Sequence, residues 1–468
     1  MSQRTASRIK VPATASLADL LGRLAAAEVA VAAVGPAALA MARGVPLPWD
    51  SPCTLVAWDG EPARAAAVIE AMDPPLLVDL TWQPTIGTDE EARLLKATAA
   101  AAQAAPIRAW SLTVTADGRV IDRYGALETI DEGRLMLTRE PRDVMRRDAG
   151  SILQIGVWAA QTGLLPGAEI VRIAQRESGH VLGLQRSVWQ DRFNRLLICT
   201  RASVGLRFLH ECRVLQLMLP EACAMVDFHR SCPVHHKDIW DHTLKVIEKC
   251  PQNLAVRWAA LMHDTGKVWT RTVSERGRVH FFRHEELGAS LMEGVAGRFR
   301  LDDELRDRVV YIIENHARAN VYCTEWTDSA VRRLIRDMGE RLDDVIAFSQ
   351  SDYTTKRAWR IKEVRTLAAE LRERIQRIAA DDAKVPPLPK GFGLLVMSRA
   401  GRRGGPWLGN IQAWLEAQVE AGELEGGLDA QAYYEHVASC RPELLTEGVA
   451  IAPVPEEGAR LQPADSER

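Results

Sequence analysis

Six metal-binding side chains recur between residues 242 and 352, and their order constrains this chain more than any other feature. Eight of the eleven histidines lie between His229 and His316, a clustering that composition alone would not produce. Imidazole and carboxylate groups together suit a divalent cation. The spacing therefore predicts helices that converge on a metal site, with these ligands: His242, His263, Asp264, His284, His316 and Asp352.

The adjacent pair His263-Asp264 is the centre of this pattern. Residues 254–263 are strongly apolar, as expected of a buried central helix, and the pair stands at its end. Gly266 then interrupts the helix, and Lys267 follows one turn after His263. Burial would give the site apolar walls that strengthen its electrostatic interactions.

Two short motifs resemble a known family. Residues 261–267, Leu-Met-His-Asp-Thr-Gly-Lys, are similar to the Leu-x-His-Asp-x-Gly-Lys motif of the HD superfamily of metal-dependent phosphohydrolases. Residues 281–285, Phe-Phe-Arg-His-Glu, resemble the Phe-x-x-His-Glu of the HD domain in bacterial tRNA nucleotidyltransferases, the CCA-adding enzymes. The resemblance implies that one metal is held by His242, His263, Asp264 and Asp352. It implies that a second metal or the substrate phosphate is bound by His284 and His316.

These ligands imply a hydrolytic chemistry. A divalent cation lowers the pKa of its water from about 15.7 to about 7, so that hydroxide is present at neutral pH. Lys267 would neutralise charge on the phosphoryl oxygens, and Glu285 or His284 would protonate the leaving oxygen. The expected catalytic residues are Asp264, Lys267 and Glu285. The site would hold one or two ions of manganese, iron, nickel, cobalt or zinc, or magnesium if few imidazoles bind.

The whole chain is expected to be α+β, with four parts. Residues 1–145 alternate helical and extended segments and form a small α/β head, residues 146–225 form a helical neck, residues 226–382 form the all-α HD domain, and residues 383–468 form a linker, a helical tail and a disordered C-terminus. Within the head, strands are predicted at 29–34, 53–58, 76–80 and 107–114, and helices at 16–28, 61–72 and 90–105. A hairpin is predicted at Asp117-Gly118.

The head resembles the nucleotidyltransferase head of the same tRNA-processing family but lacks its polar motifs. Gly35-Pro36 occupies the position of the family's Gly-Gly, and Leu39-Ala40 occupies that of its Arg-Asp pair. Ala104-Ala105-Pro106 occupies the position of its Arg-Arg-Asp. Where the family has two carboxylates for magnesium, this chain has Asp50-Ser51-Pro52. Two acidic ligands are needed to clamp a transferring phosphate with two metals, so the head is expected to be catalytically inactive.

The neck resembles the family's base-reading segment with similar losses. The Glu-Asp-Pro-Leu-Arg motif falls on residues 147–151, where only Asp148 matches, and Gln154 and Val157 replace later arginines. In the tail, residues 405–409 resemble the family's Gly-Pro-x-x-Gly motif. The resemblance therefore implies a retained scaffold whose base-reading site is lost.

Composition and charge exclude some partners. A formal net charge of -3 argues against a strongly basic nucleic-acid-binding protein, although a local basic face is compatible with it. The eight cysteines form no Cys-x-x-Cys pair, and the N-terminus lacks an apolar signal-peptide core, so a cytoplasmic protein without a membrane partner is expected. Four arginines at 271, 276, 278 and 283 either attract a phosphate-bearing substrate or belong to a solvated loop.

Three functions remain in competition. The first is a metal-dependent phosphohydrolase acting on a nucleotide or RNA-end phosphoester, as a 2',3'-cyclic phosphodiesterase, a nucleotidase or a phosphatase. The second is a tRNA nucleotidyltransferase, with tRNA or another RNA as partner. The third is a protein that binds RNA or nucleotide without turnover. The oligomeric state is left open by the sequence.

Overall fold

The computed structural model describes residues 7–10, 17–43, 53–71, 77–82, 90–231, 238–318, 322–353, 357–383 and 388–446. The chain divides into two compact units, the first ending at Arg372 and the second beginning at Glu373. All six candidate ligands lie in the first unit. The fold is α+β, because a mixed sheet near the N-terminus is followed by a mostly helical region.

The N-terminal sheet has the order β1-β4-β3-β2-β5-β6. Its strands are β1 (Ser7–Lys10), β2 (Ala30–Val34), β3 (Cys53–Asp59), β4 (Leu77–Trp82), β5 (Leu112–Thr115) and β6 (Val120–Asp122). The pair β3 and β4 is parallel, and the other neighbouring pairs are antiparallel. The predicted α/β layer is therefore confirmed.

Both faces of this sheet are buried. Successive residues of a strand point to opposite faces, so they enter different apolar clusters. In β2, Val31 and Ala33 belong to one apolar cluster, while Ala32 and Val34 belong to another on the opposite face. The associated helices are α1 (Leu17–Ala26), α2 (Pro36–Arg43), α3 (Pro62–Glu70), α4 (Glu90–Ala104) and α5 (Ala126–Asp131).

The predicted hairpin at Asp117-Gly118 is confirmed, since β5 and β6 pair antiparallel and Gly118 has a φ of +87°. The strand predicted at 107–114 was wrong in its first half. Residues Arg108–Trp110 form a 3-10 turn instead, and the strand begins at Leu112. The reason is local, because both the backbone N–H and the hydroxyl of Ser111 donate to the carbonyl of Arg108 and close the turn.

A helical region with one two-stranded pair follows the sheet. Its elements are β7 (Arg134–Leu135), α6 (Pro141–Arg147), α7 (Gly150–Thr162), β8 (Leu165–Pro166), α8 (Ala168–Glu177), α9 (Arg186–Ile198), α10 (Ala202–Glu211), α11 (Val214–Met218) and α12 (Pro220–Cys223). Helices α7 and α10 cross closely, because a Cβ atom on Gly205 would lie 2.4 Å from the carbonyl oxygen of Gly156. Asp148 accepts a hydrogen bond from the backbone N–H of Gly150 at the start of α7.

The region that carries the candidate ligands is helical apart from one short hairpin. Its elements are α13 (Ile239–Lys249), α14 (Leu254–Met262), α15 (Lys267–Thr270), β9 (Arg271–Val273), β10 (Val279–Phe281), α16 (His284–Phe299), α17 (Asp303–Asn315), α18 (Asp328–Met338) and α19 (Leu342–Ser351). The predicted central helix is confirmed as α14, in which every residue from Ala255 to Met262 is buried.

A long charged helix, α20 (Ala358–Ala383), follows, and the boundary between the two units falls within it. The second unit contains α21 (Phe392–Ala400), α22 (Pro406–Glu420), α23 (Ala430–Cys440) and α24 (Pro442–Thr446). Phe392, Ile411 and Tyr433 lie in its apolar core. Among the helices that the structure describes, none has the length and apolar character needed to cross a membrane. The predicted disordered segment after residue 453 lies outside the described residues.

Candidate metal centre

Helix ends deliver five of the six predicted ligands. His263 and Asp264 follow the last residue of α14, His316 follows α17, Asp352 follows α19, and His284 is the first residue of α16. The sixth, His242, lies within α13. Three helix C-termini thus meet at one place, where their carbonyl dipoles favour a cation.

The structure brings all six residues together in two groups. The first group is His242, His263 and Asp352, and the second is Asp264, His284 and His316. Within each group, one potential ligand atom from each residue lies within 4.8 Å of the others. The predicted convergence of side chains that are distant in sequence is therefore observed.

Asp264, a member of the second group, is also close to histidines of the first. Its Oδ2 is 3.7 Å from Nε2 of His242, and its Oδ1 is 3.4 Å from Nε2 of His263 and 3.9 Å from Nε2 of His284. On the other side, Oδ1 of Asp352 is 3.0 Å from Nε2 of His242 and 3.6 Å from Nε2 of His263. A carboxylate placed like Asp264 can bind one ion or bridge two.

Three of the imidazoles are oriented in the same way. Each has Nδ1 within hydrogen-bond distance of the carbonyl oxygen three residues earlier: His263 with Ala260 at 3.0 Å, His284 with Phe281 at 2.9 Å, and His316 with Ile313 at 2.7 Å. A carbonyl can only accept, so the proton is on Nδ1 and the lone pair is on Nε2. That tautomer turns Nε2 of each ring inward as a ligand.

The donor set fits a divalent cation. Nε2 of His263 and Nε2 of His284 are buried and have no hydrogen-bond partner among the described residues. Buried polar atoms are rarely left unpaired, and inward-turned imidazoles beside two carboxylates are suited to manganese, iron, cobalt, nickel or zinc. The residues present are therefore consistent with divalent metal binding.

Electrostatics favour the metal-binding protonation state at His316, Asp264 and His242. At His263 burial opposes the charged form, but the adjacent Asp264 carboxylate outweighs it and raises the pKa of the imidazole. Burial lowers the pKa of His316 to about 4, so its imidazole is neutral. Burial opposes ionisation of Asp264, but His263 and Lys267 beside it bring its pKa well below the usual value. Burial also lowers the pKa of His242. Neutral imidazoles and an ionised carboxylate are the forms that bind a metal.

Two of the three predicted catalytic residues, Lys267 and Glu285, line the more accessible side of the centre, and the third, Asp264, is buried. Nζ of Lys267 is 2.7 Å from Oδ1 of Asp264, and Oε2 of Glu285 is 3.0 Å from Nδ1 of His284. The side chains of Lys267 and Glu285 are 24% and 28% exposed, whereas that of Asp264 is 2% exposed. A substrate would therefore approach past Lys267 and Glu285.

Sequence reasoning missed several residues that support the centre. Asp344 accepts hydrogen bonds from Asn253, which caps α14, and from Arg308 on α17. The ring of Phe348 packs edge-on against His263 and His316. The buried guanidinium of Arg257 donates to carbonyls at the ends of α9 and α13. Asn253, before an apolar run, was a recognisable helix cap, but the other contacts have no local signal.

A comparison with protein families matches residues 239–353 to the HD domain. That range begins three residues before His242 and ends one residue after Asp352, so it includes all six converging side chains.

Comparison with curated proteins finds similarity to tRNA nucleotidyltransferases. The chain is 31% identical over 240 residues to the CC-adding tRNA nucleotidyltransferase of Thermus thermophilus, covering 49% of this chain and 52% of that protein. It is 29% identical over 252 residues to the Multifunctional CCA protein of Pseudomonas aeruginosa, covering 50% and 59%. It is 25% identical over 259 residues to the A-adding tRNA nucleotidyltransferase of Deinococcus radiodurans, covering 54% and 58%. The match thus spans little more than half the length of these relatives.

Among solved structures, the CCA-adding enzyme of Bacillus stearothermophilus in complex with CTP aligns with a TM-score of 0.48 at 14% identity, over 92% of this chain and 98% of that one. The chain thus carries an HD domain match around its His/Asp centre and, over about half its length, is similar in sequence to CCA-, CC- and A-adding tRNA nucleotidyltransferases.

Proposed function

We propose that the protein is a metal-dependent phosphohydrolase that acts on a nucleotide or RNA-end phosphoester. One observation carries the proposal: four imidazoles and two carboxylates converge, and three of the imidazoles present Nε2 because a backbone carbonyl binds Nδ1. A divalent cation held there supplies Lewis acidity and lowers the pKa of its water to about 7.

The roles of the protein's own residues follow from their positions. Lys267 holds Asp264 in place through its ammonium group and leaves positive charge at the accessible side, where a phosphate would enter. The carboxyl group of Glu285 contacts Nδ1 of His284 and so positions that ring. In its protonated form Glu285 is a candidate proton donor to the leaving oxygen. Helix α14, buried from Ala255 to Met262, excludes water from the back of the centre.

A second candidate function, transfer of nucleotides to tRNA, is favoured by the names of the relatives. These include CC-adding and A-adding enzymes and the Multifunctional CCA proteins, and the similarity covers more residues than the HD domain alone. For this candidate, tRNA and nucleoside triphosphates would be the substrates.

The sequence of the head supports hydrolysis over transfer. Leu39 and Ala40, at the positions of the family's Arg-Asp pair, lie on α2, where Ala40 is buried and Leu39 packs against the apolar core. Asp50 and Pro52, at the positions of the family's paired carboxylates, lie outside the described residues. We therefore propose that the head is catalytically inactive as a nucleotidyltransferase.

One experiment separates the candidates. The purified protein is analysed for bound metal, then assayed with 2',3'-cyclic nucleotides, nucleoside monophosphates and a general phosphatase substrate. In parallel, labelled CTP and ATP are offered with tRNA. The proposal expects phosphoester hydrolysis that the His263→Ala/Asp264→Ala variant lacks, without label entering tRNA.

One variant serves as a control, and two results would count against the proposal. His180→Ala removes an imidazole on the neck, paired with Glu177, and should leave hydrolysis unchanged. If label from CTP or ATP enters tRNA and the Asp50→Ala variant abolishes this incorporation, the transferase is favoured. Full metal occupancy without hydrolysis of any substrate would favour a binding protein.

A further inference from the structure

A hairpin with exposed aromatic and basic side chains lies directly beside the metal centre. We name residues 269–283 the aromatic hairpin, because they comprise Trp269, the strands β9 and β10, and Phe282. Its two ends connect to the centre: Lys267 precedes it by two residues and His284 follows immediately. The register pairs Arg271 with Phe281, Thr272 with His280, and Val273 with Val279.

One face of this hairpin packs against the protein. The guanidinium carbon of Arg271 lies 4.3 Å from the ring centre of Phe228, and Nη1 of Arg271 donates to the hydroxyl of Ser231 at 2.9 Å. The ring of Phe281 lies 5.7 Å from Nζ of Lys267. These contacts fix the base of the hairpin relative to the catalytic side of the centre.

Two large aromatic side chains on the hairpin remain in solvent. Trp269 is 54% exposed and Phe282 is 68% exposed, although tryptophan and phenylalanine are normally buried. His280 stacks on Phe282 with ring centres 5.2 Å apart and planes 9° from parallel. Trp269 and Phe282 are each two residues from Lys267 or His284, at most about 7 Å along the backbone. Both aromatic residues are therefore next to the centre along the backbone.

The turn of the hairpin adds positive charge farther out. Residues 271–283 contain four arginines and a single acidic residue, Glu275. Arg276 and Arg278 are exposed at the turn, about 10 Å beyond the base of the strands, while Arg283 is bonded to Glu286. A single mononucleotide at the centre would not extend to that turn, but a polynucleotide would.

We propose that the aromatic hairpin binds the single-stranded end of an RNA and guides its terminal phosphoester into the HD centre. Exposed aromatic rings next to arginines are the arrangement that binds single strands, because bases stack on the rings while the arginines contact phosphates. This inference rests on the proposed phosphohydrolase function and commits it to a polynucleotide end as substrate.

The test measures binding apart from turnover. A short fluorescein-labelled single-stranded RNA is titrated with the full chain in EDTA, and anisotropy gives Kd. Trp269→Ala and Phe282→Ala should each weaken binding about tenfold, whereas Trp269→Phe and Phe282→Tyr should retain it because the stacking face remains. The Arg276→Ala/Arg278→Ala variant should reduce the slope of log K against log salt by about 1.4.

Leu165→Ala is the matched control, since Leu165 is a similarly exposed apolar side chain (60%) on the neck. The inference is overturned if both alanine variants bind the RNA with the same Kd as the wild type. It is also overturned if the wild type binds duplex RNA as tightly as single-stranded RNA. Equal loss in the alanine and the aromatic-retaining variants also overturns it. Failure of the phosphohydrolase proposal is separate: the wild type would bind RNA through the hairpin but hydrolyse no phosphoester.

Discussion

Gly266 and His284 approach each other so closely that a Cβ atom added to Gly266 would lie 2.1 Å from the carbonyl oxygen of His284. The same atom would lie 3.0 Å from the backbone nitrogen of Gly288. Gly266 has an ordinary helical φ of −58°, so the requirement is space and not backbone freedom. The glycine after the His-Asp pair therefore lets the first turn of α16 reach the centre.

Replacing Gly266 by alanine should displace α16 and its ligand His284. Because the clash is with backbone, we expect the free energy of unfolding to fall by about 3 kcal/mol and Mn²⁺ affinity to fall at least about tenfold. Urea denaturation and calorimetric titration measure the two effects. Gly294→Ala on the same helix meets no atom within 4 Å and should stabilise the protein by about 0.5–1 kcal/mol. Equal behaviour of the two variants would contradict the prediction.

Arg257 should be essential for the junction between the neck and the HD domain. Its Nη1 donates to the carbonyls of Leu197 and Cys199, and its Nε to those of Cys250 and Pro251. Arg257→Met would remove the guanidinium donors from these carbonyls, and we expect a loss of about 3–5 kcal/mol in the free energy of unfolding.

The control for Arg257 is Arg172→Met, which removes an exposed i,i+3 ion pair with Glu169. It should cost less than about 1 kcal/mol. Both values come from urea denaturation curves. A loss for Arg257→Met as small as the control value would show that water replaces the guanidinium.

Asp344 should hold three ligand-bearing helices together. It lies on α19, accepts from Arg308 on α17 with both carboxylate oxygens, and accepts from Asn253 at the start of α14. Asp344→Asn removes the charge from these bonds, and we expect a loss of about 2 kcal/mol. The neighbouring exposed Asp343→Asn should change the free energy of unfolding by less than about 0.5 kcal/mol. Thermal melts of the two metal-free variants measure the difference. Equal melting temperatures for Asp344→Asn and Asp343→Asn would contradict the proposed role of Asp344.

Metal should stabilise the fold, because the complete site exists only when the helices are assembled. At a free Mn²⁺ concentration about 100 times Kd, the stabilisation is about 2.7 kcal/mol. We expect Mn²⁺ to raise the melting temperature of the wild type and of His180→Ala, and EDTA to reverse the rise. The His263→Ala/Asp264→Ala variant should not respond. A response of that variant equal to the wild type would place the bound ion elsewhere.

The sequence predicted which side chains converge, and it did so for a physical reason. Imidazoles and carboxylates at the ends of apolar helices are costly unless they bind something, so their recurrence is visible without coordinates. His263, His316 and Asp352 each follow directly on a helix that the structure confirms as part of the centre. Short apolar runs likewise made β2 and β3 recognisable, because both faces of the sheet are buried. By contrast, Ser111 closes a turn where an apolar run indicated a strand.

The sequence by itself determined which side chains are chemically suited to a metal. It also determined which segments bury an apolar face. Only the tertiary structure decided that Asp264 contacts histidines of both groups, that Arg257 joins two helix ends, and that Gly266 is tightly packed against His284. Residue type and spacing act over a few positions along the chain. Contacts between segments distant in the chain depend on how helices pack, and packing is a property of the assembled fold.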